Sequence, residues 1–348
     1  ALTTKILPIN EQSLNQAAAI IRSGGLVAFP TETVYGLGAD ALSPQAVKKI
    51  FEAKGRRGDN PLIVHISSHE NLPQIVREVP REAETLLRRF APGPLTLVLK
   101  RNYNIPNEVT AGLETVGVRI PSHPAARAFI NACGRPIAAP SANLSGSPSP
   151  TSAQHVLADL SGRIEIILDG GPCSVGVEST VLSLTGPEPM LLRPGGVTLE
   201  QLKSVLPNVQ VHKSVLNQGM VDKAASPGMK YKHYAPKGEL TIISGQADHV
   251  RKRLQQEVDK KRAQGYKVGV IAAGEDGSAY QADSVKVTGN RDDLAQIAKD
   301  LFRMLREFDD EGMDFMYTEG FSDKGIGQAV MNRLLTVSYT HLTLPTIL

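Results

Sequence analysis

Short apolar runs alternate with capped helical segments along most of the chain, and this alternation constrains the fold more than any other feature of the sequence. Residues 63–66 and 95–99 have the length and apolar character of buried strands. Helices are bounded by local signals, as where Ser43 provides an N-cap, Pro44 follows at the first helical position and Gly55 comes after the helix. Strands and helices mixed in this way predict an α/β protein.

A break in this alternation divides the chain, whose 348 residues are many for one core. Residues 213–238 contain Gly, Pro, Ser and several lysines without a clear period, which is typical of a linker. Residues 1–212 are therefore predicted to form one α/β domain on a twisted, mixed sheet. Residues 239–336 predict a smaller, Rossmann-like parallel α/β domain, although its first turn lacks a GxGxxG motif. Residues 337–348 fit neither pattern and are interpreted as a foreign tail.

Composition limits the class of protein. A hydrophobic content of 41% with 21% charged residues is typical of a soluble globular protein. The net charge of +3 suits an anionic ligand but is too small for a protein that coats nucleic acid. Cys133 and Cys173 form no CxxC pair, and no run of eighteen apolar residues or signal-peptide pattern is present. We therefore expect a protein of the reducing cytoplasm.

The stretch PTETVYGLGA, residues 30–39, follows a short apolar run that ends at a proline. It combines three polar groups, Thr31, Glu32 and Thr33, with Tyr35 and with two glycines, Gly36 and Gly38. Glycine permits backbone turns that bring main-chain N–H groups close to a small polar ligand. The stretch therefore predicts a ligand loop, with an ordinary glycine-rich loop as the alternative.

Four further segments are rich in cations, hydroxyls or amides, and the first three each have two interpretations. KGRRGDNPL at residues 54–62 either complements the dipole of a helix end or wraps a polyphosphate. Arg119, in TVGVRIP, either forms a salt bridge or clamps a carboxylate. AAPSANLSG at residues 138–146 is a surface loop or a binding loop. GVESTV, residues 176–181, is followed by LRPG at residues 192–195.

The sequence lacks the common catalytic motifs. It contains no GxxxxGK[ST], HExxH or GxSxG, and its histidines show no metal-ligand spacing, so His65 would by default be a core histidine. Chemistry would then depend on positioning and on stabilisation of charge by cations. Phosphoryl and nucleotidyl transfer can proceed in this way.

Together these segments resemble the YrdC-like family in its two-domain form, the threonylcarbamoyl-AMP synthases. The resemblance rests on PTETVYGLGA, the KxR of Lys54 and Arg56, the SxN of Ser141 and Asn143, GVESTV, and the linker sequence SPGMKYKHYAP. It covers residues 8–335. It implies a concave, largely open α/β sheet with a basic cavity, and an enzyme that condenses L-threonine, bicarbonate or CO₂ and ATP to threonylcarbamoyl-AMP and pyrophosphate.

The resemblance also implies roles for individual residues. The implied catalytic cations are Lys54 and Arg56. The implied L-threonine-binding residues are Thr33, His65, Arg119, Ala139 and Ser179. The implied ATP-binding residues are Arg56, Asn60, Thr115, Ser141, Asn143, Ser149, Arg193 and Tyr234. Since Tyr234 belongs to the linker, the linker would act as a lid over the active site. The implied cofactor is Mg²⁺ carried by the ATP phosphates, with no metal site on the protein.

The implied product feeds the threonylcarbamoyl modification of the adenosine beside the tRNA anticodon, through a separate transferase complex. Neither stable nucleic-acid binding nor membrane association is expected. An RNA-binding module without ATP chemistry is one alternative, although eight Phe, eight Tyr and no Trp provide few stacking platforms. The other alternative is a carbamoyltransferase that handles carbamoyl-adenylate. Such proteins carry acylphosphatase-like and zinc-finger modules, for which this chain has neither the length nor the cysteines.

Overall fold

The computed structural model describes residues 2–217 and 235–346, which divide into two compact units. The first unit contains residues up to 217 except 146–148, and the second contains residues 146–148 and 235–346. Most of the predicted linker, including Tyr234 and the proposed lid, lies outside the described residues. No helix of the two described ranges combines the length and the apolar run needed to cross a bilayer.

The first unit is built on one large mixed sheet. Its strands are β1 (Lys5–Pro8), β2 (Val27–Phe29), β3 (Gly36–Asp40), β4 (Ile63–His65), β5 (Leu95–Lys100), β6 (Thr115–Arg119), β7 (Ile137–Ala139), β8 (Ile166–Asp169), β9 (Thr180–Ser183), β10 (Met190–Arg193) and β11 (Gln210–Val211). Its helices are α1 (Glu11–Arg22), α2 (Pro44–Lys54), α3 (Arg81–Phe90), α4 (Asn107–Thr110), α5 (Pro124–Cys133), α6 (Ala153–Leu160), α7 (Leu199–Val205) and α8 (Lys213–Asn217), with a 3₁₀ turn at His69–Gln74. Within the described residues the strand order is β1-β8-β2-β3-β7-β4-β6-β5-β9-β10-β11.

The helices of this unit bury apolar side chains in two separate clusters. Helices α1 and α5 contribute Ile21 and Phe129 to one cluster, which also contains residues of β2, β7 and β8. Helices α2, α3, α6 and α7 contribute side chains such as Ile50 to the other, larger cluster. The helices named here thus cover the sheet with apolar faces, as expected of an α/β layer structure.

The second unit has a five-stranded sheet within the described residues, in the order β14-β13-β15-β12-β16. Its strands are β12 (Glu239–Ser244), β13 (Val268–Ala272), β14 (Ser284–Val287), β15 (Phe315–Glu319) and β16 (Thr340–Thr343), and its helices are α9 (Ala247–Ala263), α10 (Leu294–Asp310) and α11 (Gly327–Val337). All of the strand pairs are parallel. The predicted smaller parallel α/β domain is therefore confirmed.

The structure corrects the sequence-based interpretation of the stretch after Pro30. Gly36 and Gly38 do not lie in a turn, because they belong to β3, which pairs antiparallel with β2. A Cβ on Gly38 would lie 2.8 Å from the Ile137 side chain and 3.0 Å from the ring of Phe29. These glycines therefore provide space for the neighbouring side chains and not unusual backbone angles.

The end of the chain also differs from expectation. The sequence pattern predicts no strand at residues 340–343, yet they form β16, which pairs in parallel with β12. The edge of β12 offers unpaired backbone groups, and an uncharged segment without proline can satisfy them whatever its side chains. The foreign origin of residues 337–348 stays a prediction.

Candidate functional site

Strand register places four residues on one face of the sheet, three of which are predicted to bind threonine. His65 in β4 lies opposite Arg119 in β6, and Arg119 lies opposite Thr96 in β5. Ala139 in β7 lies opposite Ile63, two residues before His65 on β4. Residues that are opposite each other, or two apart on a strand, have side chains on the same face. His65, Arg119, Thr96 and Ala139 are thus neighbours although they come from four strands.

Arg119 is buried, and groups from distant parts of the chain fix its guanidinium. Its Nε donates to the carbonyl oxygen of Gly93 at 3.1 Å, and its Nη1 donates to Oγ1 of Thr33 at 2.9 Å. Its Nη2 donates to Oε1 of Glu32. A guanidinium has five N–H groups. Three bonds to described residues therefore leave two N–H groups that can donate to a ligand.

His65 is a buried, uncharged imidazole beside Arg119. Burial and the positive charge of Arg119 lower the pKa of His65 to about 3. Its Nδ1 lies 3.1 Å from the carbonyl oxygen of Ile63, which can only accept, so Nδ1 carries the proton. Its ring meets that of Phe29 edge to face, with centroids 5.9 Å apart. Nε2 of His65 can therefore only accept a hydrogen bond.

Ser179 joins the same cluster from the segment before β9. Its hydroxyl lies 2.8 Å from that of Thr96 and 3.3 Å from Nη2 of Arg193. Nε of Arg193 donates to the carbonyl oxygen of Ser179 at 2.9 Å. The LRPG segment can approach Ser179 this closely because Gly195 has no side chain. A Cβ on Gly195 would lie 2.7 Å from backbone atoms of the segment before β9. Arg193 thus lies against a predicted threonine-binding residue.

Lys54 lies at the end of α2 with its side chain buried. Its Nζ donates to the carbonyl oxygens of Ser141 and Asn143, at 2.5 Å and 2.7 Å. The structure therefore brings the KxR and SxN motifs together. It also shows that the ammonium group of Lys54 fixes the backbone of the loop after β7.

Asn60 and Thr115 lie at the amino ends of the parallel strands β4 and β6, where Ile63 is opposite Gly117. Ser141 is at the same end, because β7 runs antiparallel to β4.

The side chain of Asn60 is fully buried, and neither of its amide atoms has a partner among the residues that the structure describes. A buried amide without partners is costly, so this amide is suited to a ligand. Arg56 is half-buried, with its guanidinium 5.8 Å from the centre of the Phe51 ring.

Backbone hydrogen bonds join the loop before β3 to the loops after β7. The N–H of Ala142 donates to the carbonyl oxygen of Tyr35, and the N–H of Tyr35 donates to that of Pro150, both at 2.9 Å. The N–H of Leu37 donates to Pro140, also at 2.9 Å. Backbone hydrogen bonds therefore join the segment that contains Thr33 to the segments that contain Ser141 and Ser149.

Ser149 donates its hydroxyl hydrogen to Oε2 of Glu178, and both side chains are buried. Ser149 thus lies at the GVESTV segment. In the sequence, Glu178 is indicated only as part of that motif and Glu32 only as a polar group of PTETVYGLGA, and no pattern indicates Thr96 or Ser122. The available signal is weak, since these residues are ordinary polar types whose partners are distant in sequence. Tyr234, the last predicted ATP-binding residue, lies outside the described residues.

The chain can be compared with known families along its length. The family Sua5_yciO_yrdC, described as telomere recombination, matches residues 19–195. A second family, described as threonylcarbamoyl-AMP synthase, C-terminal domain, matches residues 197–336. Both units of the structure are thus covered by a family match.

Individual relatives are similar over nearly the whole chain. The threonylcarbamoyl-AMP synthase of Pyrococcus abyssi is 52% identical over 330 residues, which are 95% of each chain. That of Bacillus subtilis is 50% identical over 95% of this chain and 94% of its own. The crystal structure of P. abyssi Sua5 complexed with L-threonine superposes with a TM-score of 0.93 at 48% identity, covering 99% of this chain and all of the other.

Proposed function

The chain belongs to the long, two-domain threonylcarbamoyl-AMP synthase family and is an enzyme of that type, and from this premise we propose which of its residues perform the reaction. L-threonine, bicarbonate or CO₂, and ATP are condensed to threonylcarbamoyl-AMP and pyrophosphate. The observation that carries the assignment is the buried Arg119, with two N–H groups directed to no described residue and the neutral His65 beside it.

The threonine pocket consists of Thr33, His65, Arg119, Ala139 and Ser179. A guanidinium with two N–H groups left can bind both oxygens of an amino-acid carboxylate. Nε2 of His65 can only accept a hydrogen bond, which suits a substrate hydroxyl or amine. The small side chain of Ala139, on the same face, leaves room for the substrate.

The nucleotide site consists of Lys54, Arg56, Asn60, Thr115, Ser141, Asn143, Ser149, Arg193 and, from the linker, Tyr234. Its lysine and arginine side chains and its amide N–H groups are hydrogen-bond donors, which suit phosphate oxygens and a nucleobase. The cations cannot ligate a metal, so only the amide and hydroxyl oxygens of this set could do so. These donors fit phosphates that bring their own Mg²⁺, which would supply additional charge neutralisation. The buried amide of Asn60 would acquire its partners when ATP binds.

The reaction needs no covalent enzyme intermediate. The neutral threonine amine adds to CO₂ and loses a proton, giving a carbamate. A carbamate oxygen then forms a bond to the α-phosphorus of ATP while the bond to pyrophosphate breaks. Lys54 and Arg56 stabilise the charge that develops on the departing pyrophosphate. The resemblance assigns the linker, most of which lies outside the described residues, the role of a lid that would protect the labile carbamate and adenylate from water.

We place the reaction in the cytoplasm, where a separate complex would transfer the product to tRNA. Cys133 and Cys173 support this placement, because both are buried free thiols. Burial raises the pKa of the Cys133 thiol to about 12 and also raises that of Cys173. Such thiols are unreactive and are typical of a reducing compartment.

Pyrophosphate release from ATP and Mg²⁺ tests the proposal, with threonine and bicarbonate omitted in turn. We expect release to need both. Arg119→Lys keeps the charge but cannot bind a carboxylate through a planar fork, so the KM for threonine should rise much more than the KM for ATP. Release that needs neither substrate, or no release from folded wild-type protein, would contradict the proposal.

A further inference from the structure

Glu32 is a buried carboxylate next to Arg119 for which the proposed reaction has no use. Only 6% of Glu32 is exposed. Its Oε1 accepts from Nη2 of Arg119, and its Oε2 accepts from the backbone N–H of Ser122 at 2.8 Å and from the Ser122 hydroxyl at 2.5 Å. Both oxygens are therefore engaged, which is the condition under which a buried charge is tolerated.

Glu32 is ionised when the enzyme works. Burial acts to raise the pKa of Glu32, but the charge of Arg119 and the two hydrogen bonds from Ser122 outweigh it and hold the pKa below its ordinary value. The Glu32–Arg119 pair is therefore a fixed ion pair. It faces the neutral His65 and the Cys173 thiol, whose pKa burial and Glu32 both raise.

Together, three acceptors determine where the guanidinium of Arg119 points. Gly93 accepts from Nε, Thr33 from Nη1 and Glu32 from Nη2, so the plane of the group cannot rotate. Glu32 is the charged acceptor of the three, and Ser122 in turn fixes Glu32. Hydrogen bonds between charged groups are stronger than those between neutral groups, so loss of Glu32 would release Arg119 more than loss of either other acceptor.

We propose that Glu32 is the positioning residue for threonine: it holds Arg119 so that the two remaining N–H groups form the fork that binds the substrate carboxylate. It also cancels the charge of Arg119, so the pocket recognises the shape of a carboxylate and does not merely attract anions. This inference rests on the proposed function, because it needs threonine as the substrate.

A second buried carboxylate provides a matched control. Asp40, at the other end of β3, accepts from Nη1 of Arg135 at 2.6 Å and from the backbone N–H of Leu42 at 2.9 Å. Like Glu32, it is buried and pairs with one arginine and one backbone N–H. Arg135, unlike Arg119, has a side chain that is 44% exposed. A purely structural effect of losing a buried carboxylate should therefore appear equally in Asp40→Asn.

The test measures pyrophosphate release and calorimetric threonine binding with the full chain. Glu32→Gln should raise the threonine KM and Kd about tenfold or more, which corresponds to about 1.4 kcal/mol of binding free energy, because the variant replaces a charged acceptor of Arg119 with a neutral one. The ATP KM and the kcat at saturating threonine should change less than about threefold. Glu32→Asp, which keeps the charge, should recover part of the threonine affinity. Asp40→Asn should leave both KM values unchanged.

Ser122→Ala serves as a second variant if Glu32→Gln does not fold. It removes only the hydroxyl donor, keeps the backbone bond, and should raise the threonine KM about threefold. An unchanged threonine KM in both variants would overturn the inference, as would equal effects of Glu32→Gln and Asp40→Asn on both substrates. In either case threonine-dependent release by the wild type would leave the proposed function standing. Absence of that release from the wild type would refute both.

Discussion

The buried His65 should make the stability of the catalytic unit depend on pH in a way that one substitution removes. His65 is 5% exposed, its Nδ1 proton is held by Ile63, and its pKa is lowered to about 3 by burial and by Arg119. In the unfolded chain the same side chain has a pKa of about 6.5. The perturbation is therefore a decrease in pH from 7 to 5, in the wild type and in His65→Gln.

The sign and the size follow from the two pKa values. Below pH 6.5 the unfolded chain takes up a proton at His65 that the folded chain refuses until about pH 3. The stabilisation is thus complete above the unfolded pKa and is lost as the pH falls towards the folded pKa. The loss is about 1.4 kcal/mol for each pH unit below 6.5, which gives about 2 kcal/mol at pH 5.

Urea unfolding followed by far-ultraviolet circular dichroism at pH 7 and pH 5 measures the effect. Other groups also titrate in this range, so the quantity of interest is the difference between the wild type and His65→Gln. The wild type should lose about 2 kcal/mol more than the variant. His69→Gln, which changes an exposed histidine on the following 3₁₀ turn, should behave as the wild type does. Equal losses in the wild type and His65→Gln would refute the reasoning.

Three further predictions concern the nucleotide side and the backbone. Asn60→Leu removes a fully buried amide that has no partner among the described residues. The free energy of unfolding measured in urea should therefore stay the same or rise by about 1 kcal/mol, while the ATP KM rises about tenfold. A large loss of stability with an unchanged ATP KM would contradict this. Gly195→Ala places a Cβ 2.7 Å from backbone atoms of the segment before β9 and should lower the free energy of unfolding by about 2–3 kcal/mol. Gly186→Ala is the control and should have little effect, because the atom nearest to its added Cβ is 3.9 Å away. Lys54→Ala should reduce the kcat for pyrophosphate release about 10²–10³-fold, because it removes both a cation and the side chain that fixes the loop after β7. The control is Lys49→Ala, since Lys49 is on the same helix and also donates to a backbone carbonyl oxygen. Equal activity of the two variants would argue against the assignment.

The sequence predicts helix ends well where the signal is local. Ser43, Pro44 and Gly55 bound α2 as expected, with Oγ of Ser43 accepting from the N–H of Ala46 and Gly55 in the left-handed conformation. Helix α7 likewise begins with a local signal, a capping box formed by Thr198 and Gln201. These signals involve side chains within four residues of one another, so no knowledge of the tertiary structure is needed to read them.

Two of the strands that the sequence did not predict, β3 and β16, depend on distant partners. β3 contains two glycines, which have low strand propensity, and it is stabilised by pairing with β2 and β7 and by the rings and methyl groups that fill the space over Gly38. β16 has little pattern of its own and exists because the edge of β12 accepts it. Local propensity does not contain such information.

The candidate site divides in the same way. The motifs identify the segments that contain Lys54, Arg119 and Ser141, because charge, amide and hydroxyl groups are conspicuous next to glycine and proline. They include Glu32 as a polar residue of PTETVYGLGA but do not reveal its contacts, because its partners Arg119 and Ser122 are 87 and 90 residues away. A residue that acts through another side chain becomes visible only when both ends of the contact are known.

The backbone bonds among Tyr35, Ala142 and Pro150 have a thermodynamic consequence for how strongly the two substrates bind together. A ligand that orders the loop before β3 also orders the loops after β7, since the two share these bonds. The second substrate then meets a frame whose conformational entropy has already been reduced. Threonine and ATP should therefore bind with positive cooperativity, and because linkage is reciprocal, each should lower the dissociation constant of the other by the same factor.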